Sequence, residues 1–389
     1  MPFENETEHE PHPREPSVEV TIVAHDIGAV GGMERQLTDL LLGLRRLGHS
    51  VTVIGRTCGL PAQAGVVFHR VRAPGRPFLL AYPWFLLAGS LAVRRHRRGV
   101  VQATGAIVLN RVDVVAVHYC HQVGPANPSR STPLFRAQVR AAGVLKRLGE
   151  RLCFRTARAR AIVCVSDGVA EEVRRYFPDL ASRVLTIHNG IDTGAFAPGT
   201  RVAQARALRA SGRIPERALV AAFVGSEWER KGLEPAIRAL AGADEWILMV
   251  AGSGDQECYA ALARSLGVEE RVRWLGVSTD VPTVYQAADA FVLPSSYETF
   301  SLVTFEAAAS ALPILAAPVS GVRELVRDGE NGYLIGRDPD EIAARLRELG
   351  ADPQLRARLG AAARASALEF SSERMVARHH ELYQRLGAR

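Results

Sequence analysis

Short apolar runs alternate with amphipathic helical segments along this 389-residue chain; the series runs its course, pauses, and starts again. The first series opens with the strand-like run Val18–Val23. Helix signals follow from Gly32, where Met33, Leu37, Leu40, Leu41, Leu44 and Leu47 mark one face at 3.6-residue spacing. Gly48 then fits the position just past a helix end. Further strand candidates are Val51–Ile54, Val100–Ala103, Val112–Val117, Ile162–Val165 and Val184–Ile187. Each is short and apolar, as strands covered on both faces are. A softer stretch, Asp192 to Glu216, is rich in Gly, Pro, Ala and Arg. The alternation resumes with strands at Leu219–Val224, Ile247–Ala251, Val272–Leu275, Phe291–Leu293, Ile314–Ala317 and Gly332–Ile335, separated by helical patterns. Three more helical patterns finish the chain.

Alternating strand–helix units imply an α/β fold with parallel, doubly wound sheets. Two series imply two Rossmann-like domains facing one another, read as 17–195 and 217–370 with a linker at 196–216 and a terminal helix at 371–389. Ligands of such sheets sit beyond the carboxyl ends of the strands, so the loops there are where chemistry is sought.

Composition removes several other classes. With 47% hydrophobic and 23% charged residues, the chain is neither disordered nor collagen-like nor a disulfide-stapled miniprotein. Its five cysteines (58, 120, 153, 164 and 258) form no C-x-x-C, which fits free thiols in a reducing compartment. The net charge is +7, and 46 of the 48 basic residues are arginine. Arginine is the default cation here, so Lys146 and Lys231 stand out. Residues 1–16 are acidic and proline-containing, without the basic start and apolar run of a signal peptide, and read as a disordered tail of a cytoplasmic protein. The apolar run Phe78–Val93 is shorter than the ~20 residues that span a bilayer.

Several constellations lie at the strand ends. Gly28, Gly31 and Gly32 follow the first strand and lead into a helix, which lets backbone N–H groups approach an anion. The spacing is not the dinucleotide G-x-G-x-x-G. In the second series, Gly225-Ser226-Glu227-Trp228-Glu229-Arg230-Lys231-Gly232 follows a strand, and adjacent Arg230 and Lys231 suit a diphosphate. The run from Trp274 to Val322 holds 49 residues and no Lys or Arg, against about six expected from composition. Within it, Glu306 occupies an otherwise uncharged stretch from Thr299 to Val319. A buried carboxylate without partners is costly, and vicinal sugar hydroxyls are good partners for one. Backbone groups or a distant arginine are the alternative. His118-Tyr119-Cys120-His121 closes another strand; zinc is a competing reading, without further ligands grouped nearby. Ser166 and Asp338 read as helix N-caps. A helical stretch at 134–158 gathers Arg136, Arg140, Arg147, Arg151, Arg155 and Arg158 within a ~100° arc. That arc is either a solvated basic face or a contact for an anionic membrane. Nucleic acid fits less well, because no aromatic stacking platform accompanies the charge.

Taken together, Gly31-Gly32-Met33-Glu34, Asn189-Gly190-Ile191-Asp192, Arg230-Lys231-Gly232, Phe291–Ser295, the pair Glu298 and Glu306, and Asn331–Leu334 resemble the retaining GT-B glycosyltransferases of family 4. The likeness spans roughly residues 17–370 and is most specific from 219 to 336. It implies an NDP-sugar donor, bound as a substrate and not a cofactor, in the cleft between the domains. Glu306 would hold the ribose diol and Glu298 the donor sugar's hydroxyls. Backbone amides around Phe300, Ser301 and Leu302 would face the sugar and phosphates, with Arg230 and Lys231 on the diphosphate and Gly31 and Gly32 at the cleft. His118 matches the family's cleft histidine and, with Glu298, would be catalytic. The family's usual arginine after Gly225 is Ser226 here, and Ser301 stands where a second glycine is common. The resemblance further implies a terminal helix returning to the first domain, same-face substitution, and a role in bacterial polysaccharide or glycolipid synthesis. The acceptor would be a glycan, glycolipid or natural product. A sugar-nucleotide epimerase and a non-enzymatic basic scaffold remain the alternatives. No metal is expected, so activity should persist in excess EDTA; a complete loss restored by magnesium or manganese would contradict this.

Overall fold

The computed structural model describes residues 17–28, 31–74, 78–124 and 133–388; the tail expected at 1–16 lies outside them. The first half runs through β1 (Glu19–Val23), β2 (Asp26–Ile27), α1 (Gly32–Arg46), β3 (Ser50–Gly55), β4 (Thr57–Cys58), β5 (Val67–Arg70) and α2 (Phe78–His96). It continues with β6 (Val100–Thr104), β7 (Val114–Val117), α3 (Pro133–Ala157), β8 (Ala161–Cys164), α4 (Asp167–Tyr176) and β9 (Val184–Thr186). Seven of these strands form a parallel sheet in the order β5-β3-β1-β6-β7-β8-β9, while β2 and β4 pair with each other. Every residue of β6, β7 and β8 is buried. Helices on both faces dictate that, and it is why these strands read as unbroken apolar runs.

The second half holds α5 (Val202–Ser211), β10 (Leu219–Val224), α6 (Trp228–Lys231), α7 (Leu233–Ala239), β11 (Trp246–Ala251), α8 (Gln256–Ser265), β12 (Val272–Gly276) and α9 (Val281–Gln286). Then come β13 (Ala290–Leu293), α10 (Leu302–Ala309), β14 (Ile314–Ala316), α11 (Val322–Leu325), β15 (Gly332–Leu334), α12 (Pro339–Ala351), α13 (Pro353–Ala367) and α14 (Ser372–Gly387). Six parallel strands are ordered β12-β11-β10-β13-β14-β15. Both sheets place their carboxyl ends, and hence their loops, where a ligand binds in such folds.

The stretch 196–216, read from sequence as a linker, contains α5. Of that helix only Ala205 is buried, so its Ala and Arg content leaves no apolar stripe to detect. Arg209 nonetheless fastens it to the second domain, its Nη2 2.5 Å from Asp289 Oδ2 and its Nε donating to the Ala287 carbonyl. The apolar run at 78–93 is most of α2, and no described helix is long and apolar enough to cross a membrane.

After the second sheet the chain crosses back. Ile191 N–H donates to the Phe370 carbonyl, and Ser372 N–H donates to that of Ile191. From there α14 packs on α1, where Leu37, Leu40, Leu41 and Leu44 share a core with Met375, Val376, Leu382 and Tyr383. The helices approach so closely that a Cβ at Gly43 would lie 2.8 Å from Val376 Cγ1. Tyr383 Oη donates to buried Gln102 of β6 at 2.7 Å.

His379 of α14 is buried in this seam, its Nδ1–H donating to the Met375 carbonyl at 3.0 Å. Burial, helped by Arg378, pulls its pKa from 6.5 down to about 4. The unfolded chain takes up a proton below 6.5 and the folded chain does not. Stability is therefore complete above pH 6.5 and falls toward pH 4, by about 1.4 kcal/mol per pH unit for one such group. His379→Gln should flatten the dependence of Tm on pH across that window; an unchanged slope would reject this assignment.

Candidate active site

β10 is followed by Gly225, whose φ is +135°. A Cβ there would lie 2.6 Å from Lys231 Cε, so only glycine lets the lysine stem run past the strand end. The single turn α6 presents Arg230 and Lys231 together, and Gly232 closes it in the left-handed region at φ +81°. Lys231 is buried, with Nζ 2.8 Å from Glu298 Oε1. Arg230 Nη1 lies 3.2 Å from the same oxygen, and Ser295 Oγ donates to it at 3.0 Å. Burial pushes the Glu298 pKa upward, but Lys231 and then Arg230 outweigh it and hold the carboxyl below its ordinary range. The two cations expected on a diphosphate are thus bound to Glu298, an arrangement that residue spacing did not reveal. All three of these contacts fall on Oε1.

The next loop leads into α10 through Ser301, which adopts φ +67° and ψ +57°. That backbone explains why glycine is common here in the family it resembles, since an L-residue is strained in this region. Phe300 itself is core, stacked on Phe305 with ring centres 4.1 Å apart. Only its backbone is left for a ligand. Gly321, at φ +78°, allows the Phe300 carbonyl to lie against it. Leu302 begins α10, whose cap makes no side-chain hydrogen bond to the free N–H groups.

Glu306, on α10, is buried and doubly held. Arg35 Nη2 from α1 lies 3.2 Å from Oε1, and Tyr285 Oη donates to Oε2 at 3.2 Å. Burial raises its pKa, and Arg35 and Tyr285 only moderate the rise. The sequence left Glu306 without a local cation. The structure supplies one from the other domain, three residues past Gly32. Gly31 (φ +95°) and Gly32 bring that loop onto α10, and a Cβ at Gly32 would lie 3.0 Å from Leu302 Cδ1.

His118 follows β7 and shares a small cavity with Gln36, Gln102, Asn189 and His379, all from the first domain or α14. Its Nδ1 is buried and has no hydrogen-bond partner among the described residues, and burial lowers its pKa to about 4, so the ring is neutral. Asn189-Gly190 is more than a turn, since Gln36 both donates to the Gly190 carbonyl (2.7 Å) and accepts from its N–H (2.8 Å). Ser166 and Asp338 cap α4 and α12 with their side chains. Burial pushes the Cys120 thiol up to about 12.

Two further bridges across the cleft carry no sequence signal. Tyr297 stands edge-on to Tyr119, and its hydroxyl donates to Glu172 at 3.4 Å. Burial raises the Glu172 pKa to about 6. Beside them, His188 Nε2 lies 2.5 Å from Glu324 Oε2, while Asp167 N–H donates to Glu324 Oε1 at 3.0 Å.

Two family models match, one for each domain: "Glycosyltransferase Family 4" over residues 30–195 and "Glycosyl transferases group 1" over 204–366. The chain belongs to the group 1 glycosyltransferases. It is 40% identical over 231 residues to a D-inositol 3-phosphate glycosyltransferase of Salinispora arenicola, covering 54% of this chain and 51% of that protein. It thus spans about half the length of this relative. Among solved structures, it resembles WaaG, a glycosyltransferase involved in lipopolysaccharide biosynthesis, with a TM-score of 0.76 at 20% identity, covering 94% of this chain and 99% of that one. Anabaena HepE in complex with UDP-glucose gives 0.72 at 20% identity, covering 95% and 100%. The α/β fold, two domains with parallel sheets, is that of the GT-B glycosyltransferases.

The Lys231–Glu298 pair generates a stability test. Lys231→Met leaves Glu298 buried with Arg230 and the Ser295 hydroxyl, and should cost about 3 kcal/mol, as removal of one partner of a buried pair does. Adding Glu298→Gln should recover at least half of that loss in urea unfolding. Additive losses would show that the two side chains do not depend on one another.

Proposed function

We propose that this protein transfers a sugar from a nucleoside-diphosphate sugar to an acceptor, with retention of anomeric configuration. The observation that carries the reading is the placement of Glu298 and Glu306 on either side of the uncapped start of α10, with Lys231 and Arg230 alongside. A helix start with unpaired N–H groups favours phosphate. Glu306 takes the ribose diol, with Arg35 yielding Oε1 to a ribose hydroxyl. Glu298 uses Oε2 for the donor sugar, while its Oε1 fixes the two cations beside the diphosphate. The solved neighbour with bound UDP-glucose supports a nucleotide-sugar donor.

In the transfer, the acceptor oxygen bonds to the anomeric carbon on the face that the diphosphate leaves. The carbon–oxygen bond to phosphate breaks, and the departing diphosphate receives the acceptor's proton. Lys231 and the α10 amides stabilise the charge that grows on the leaving group. The acceptor's place is a cavity of about 590 Å³ in the first domain, lined by Asp26, Arg56, Thr57, Arg70, Arg72 and Trp84. Its arginines suit an acceptor bearing phosphate or carboxylate.

The two carboxylates have separable roles. Glu306→Ala should weaken UDP or GDP by about 10- to 150-fold, the cost of losing a charged hydrogen-bond partner. Glu298→Ala should lower kcat more than nucleotide affinity, because bare nucleotide has no sugar. Calorimetry beside steady-state kinetics tests the division. Equal losses of nucleotide affinity in both variants would overturn it.

A further inference from the structure

Charge is distributed very unevenly along the chain. Residues 40–149 contain sixteen Lys and Arg and a single carboxylate, Asp113, a net of +15 against +7 for the whole molecule. The remaining residues are therefore net acidic. This basic stretch includes α2 and most of α3, and the exposed surfaces of those helices carry no carboxylate among the described residues. The one acid of α3, Glu150, is buried and accepts from His121 N–H and Gln122. Arg94, Arg95, Arg97 and Arg98 at the end of α2 are exposed, as are Arg136, Arg140, Arg151 and Arg155 of α3.

The same helices expose large apolar side chains. On α2, Leu80, Trp84, Leu87 and Leu91 recur at i, i+4, i+7 and i+11, one stripe of about 60°, and Leu80 and Leu87 are 66% and 68% exposed. The opposite side of α2 is in the core through Tyr82, Phe85, Leu86 and Val93. On α3, Val144, Leu148 and Leu152 are exposed, next to the arginine arc. The two helices pack side by side: Gly149 lies against the Tyr82 ring, and Lys146 Nζ sits 4.8 Å from the centre of the Phe78 ring. Packing therefore leaves both apolar stripes and the arginines outward, where water alone would favour neither stripe.

We propose that α2 and α3 form a face that docks on an anionic lipid bilayer, the stripes entering the acyl boundary and the arginines meeting lipid phosphates. Apolar insertion combined with arginine pairing is the chemistry of a helix lying in a membrane interface. An acidic protein or a nucleic acid would satisfy the arginines but leave Leu80, Leu87 and Leu91 without a purpose. Trp84 belongs both to the stripe and to the wall of the arginine-lined cavity, so docking sets that cavity at the membrane surface. The docking claim does not depend on the transfer chemistry, and its test uses no donor.

The full chain is mixed with phosphatidylcholine vesicles containing 30% phosphatidylglycerol, and with pure phosphatidylcholine vesicles, in a flotation assay. Trp84 is the one exposed tryptophan of the four, so its emission reports insertion. Binding is expected to the anionic vesicles with a blue shift, and to be at least tenfold weaker on neutral ones. Leu80→Ser/Leu87→Ser should weaken anionic binding at least tenfold at unchanged Tm and abolish the blue shift. Arg140→Gln/Arg147→Gln/Arg151→Gln should weaken binding and reduce its salt sensitivity. Vesicle binding that is absent, or that is unaffected by the double leucine variant, would overturn the proposal. So would duplex DNA that displaces the protein from vesicles and binds the double leucine variant as tightly as the wild type.

Discussion

Two carboxylates buried at the junction of two domains impose a condition on everything around them: each must find a cation or a hydrogen-bond donor, because an unpaired buried charge is strongly destabilising. Glu298 meets the condition within its own domain, through Lys231 and Arg230. Glu306 meets it across the cleft, through Arg35. The first solution dictates a glycine at 225, a one-turn helix and a left-handed glycine at 232, since those place the two cations. The second ties the position of α1, and so of the Gly31-Gly32 loop, to that of α10. The charges of the site are already paired in the structure, so in the proposed function a donor binds by exchanging partners instead of creating them.

That view gives different duties to groups that look alike. Lys231 is almost sealed and has one described acceptor, so its other donors are available to a phosphate. Arg230 is spent on structure: Nε and Nη2 face Glu227, and Nη1 donates to the Tyr297 carbonyl. It fixes the loop that carries Glu298. Ser226, which stands where the family usually has arginine, bonds to Ser253 and offers no charge. In the proposed function, the phosphate side of this site thus rests on Lys231 and the start of α10.

Much of this was legible in the sequence for a physical reason. Doubly covered strands such as β7 and β8 read as apolar runs, and helix α1 shows its buried stripe plainly. The left-handed Ser301 was flagged by a glycine preference that its φ now explains. What stayed hidden depends on contacts between distant segments. Arg35 and Glu306 are far apart in sequence, and nothing local joins them. Glu172 and Tyr297 meet only because the domains face one another. Helix α5 was read as linker because almost none of it is buried. Strand β5 escaped because its ends are exposed and its alternation is too short. His118 stands out in the sequence by its place at a strand end and its match to the cleft histidine of the family the chain resembles. Its surroundings of Gln36, Asn189 and His379 could not be seen until α14 was laid over them.

The central claim is that Glu306 reads the ribose diol, with Arg35 as its partner across the cleft in this structure. Titration calorimetry comparing UDP with 2′-deoxy-UDP tests it most directly, because the two differ only in one of the hydroxyls that Glu306 would accept from. The account predicts that the deoxynucleotide binds wild-type protein about tenfold or more weakly, and that Glu306→Ala binds both equally. Equal affinities for the wild type, or discrimination that survives in Glu306→Ala, would contradict it.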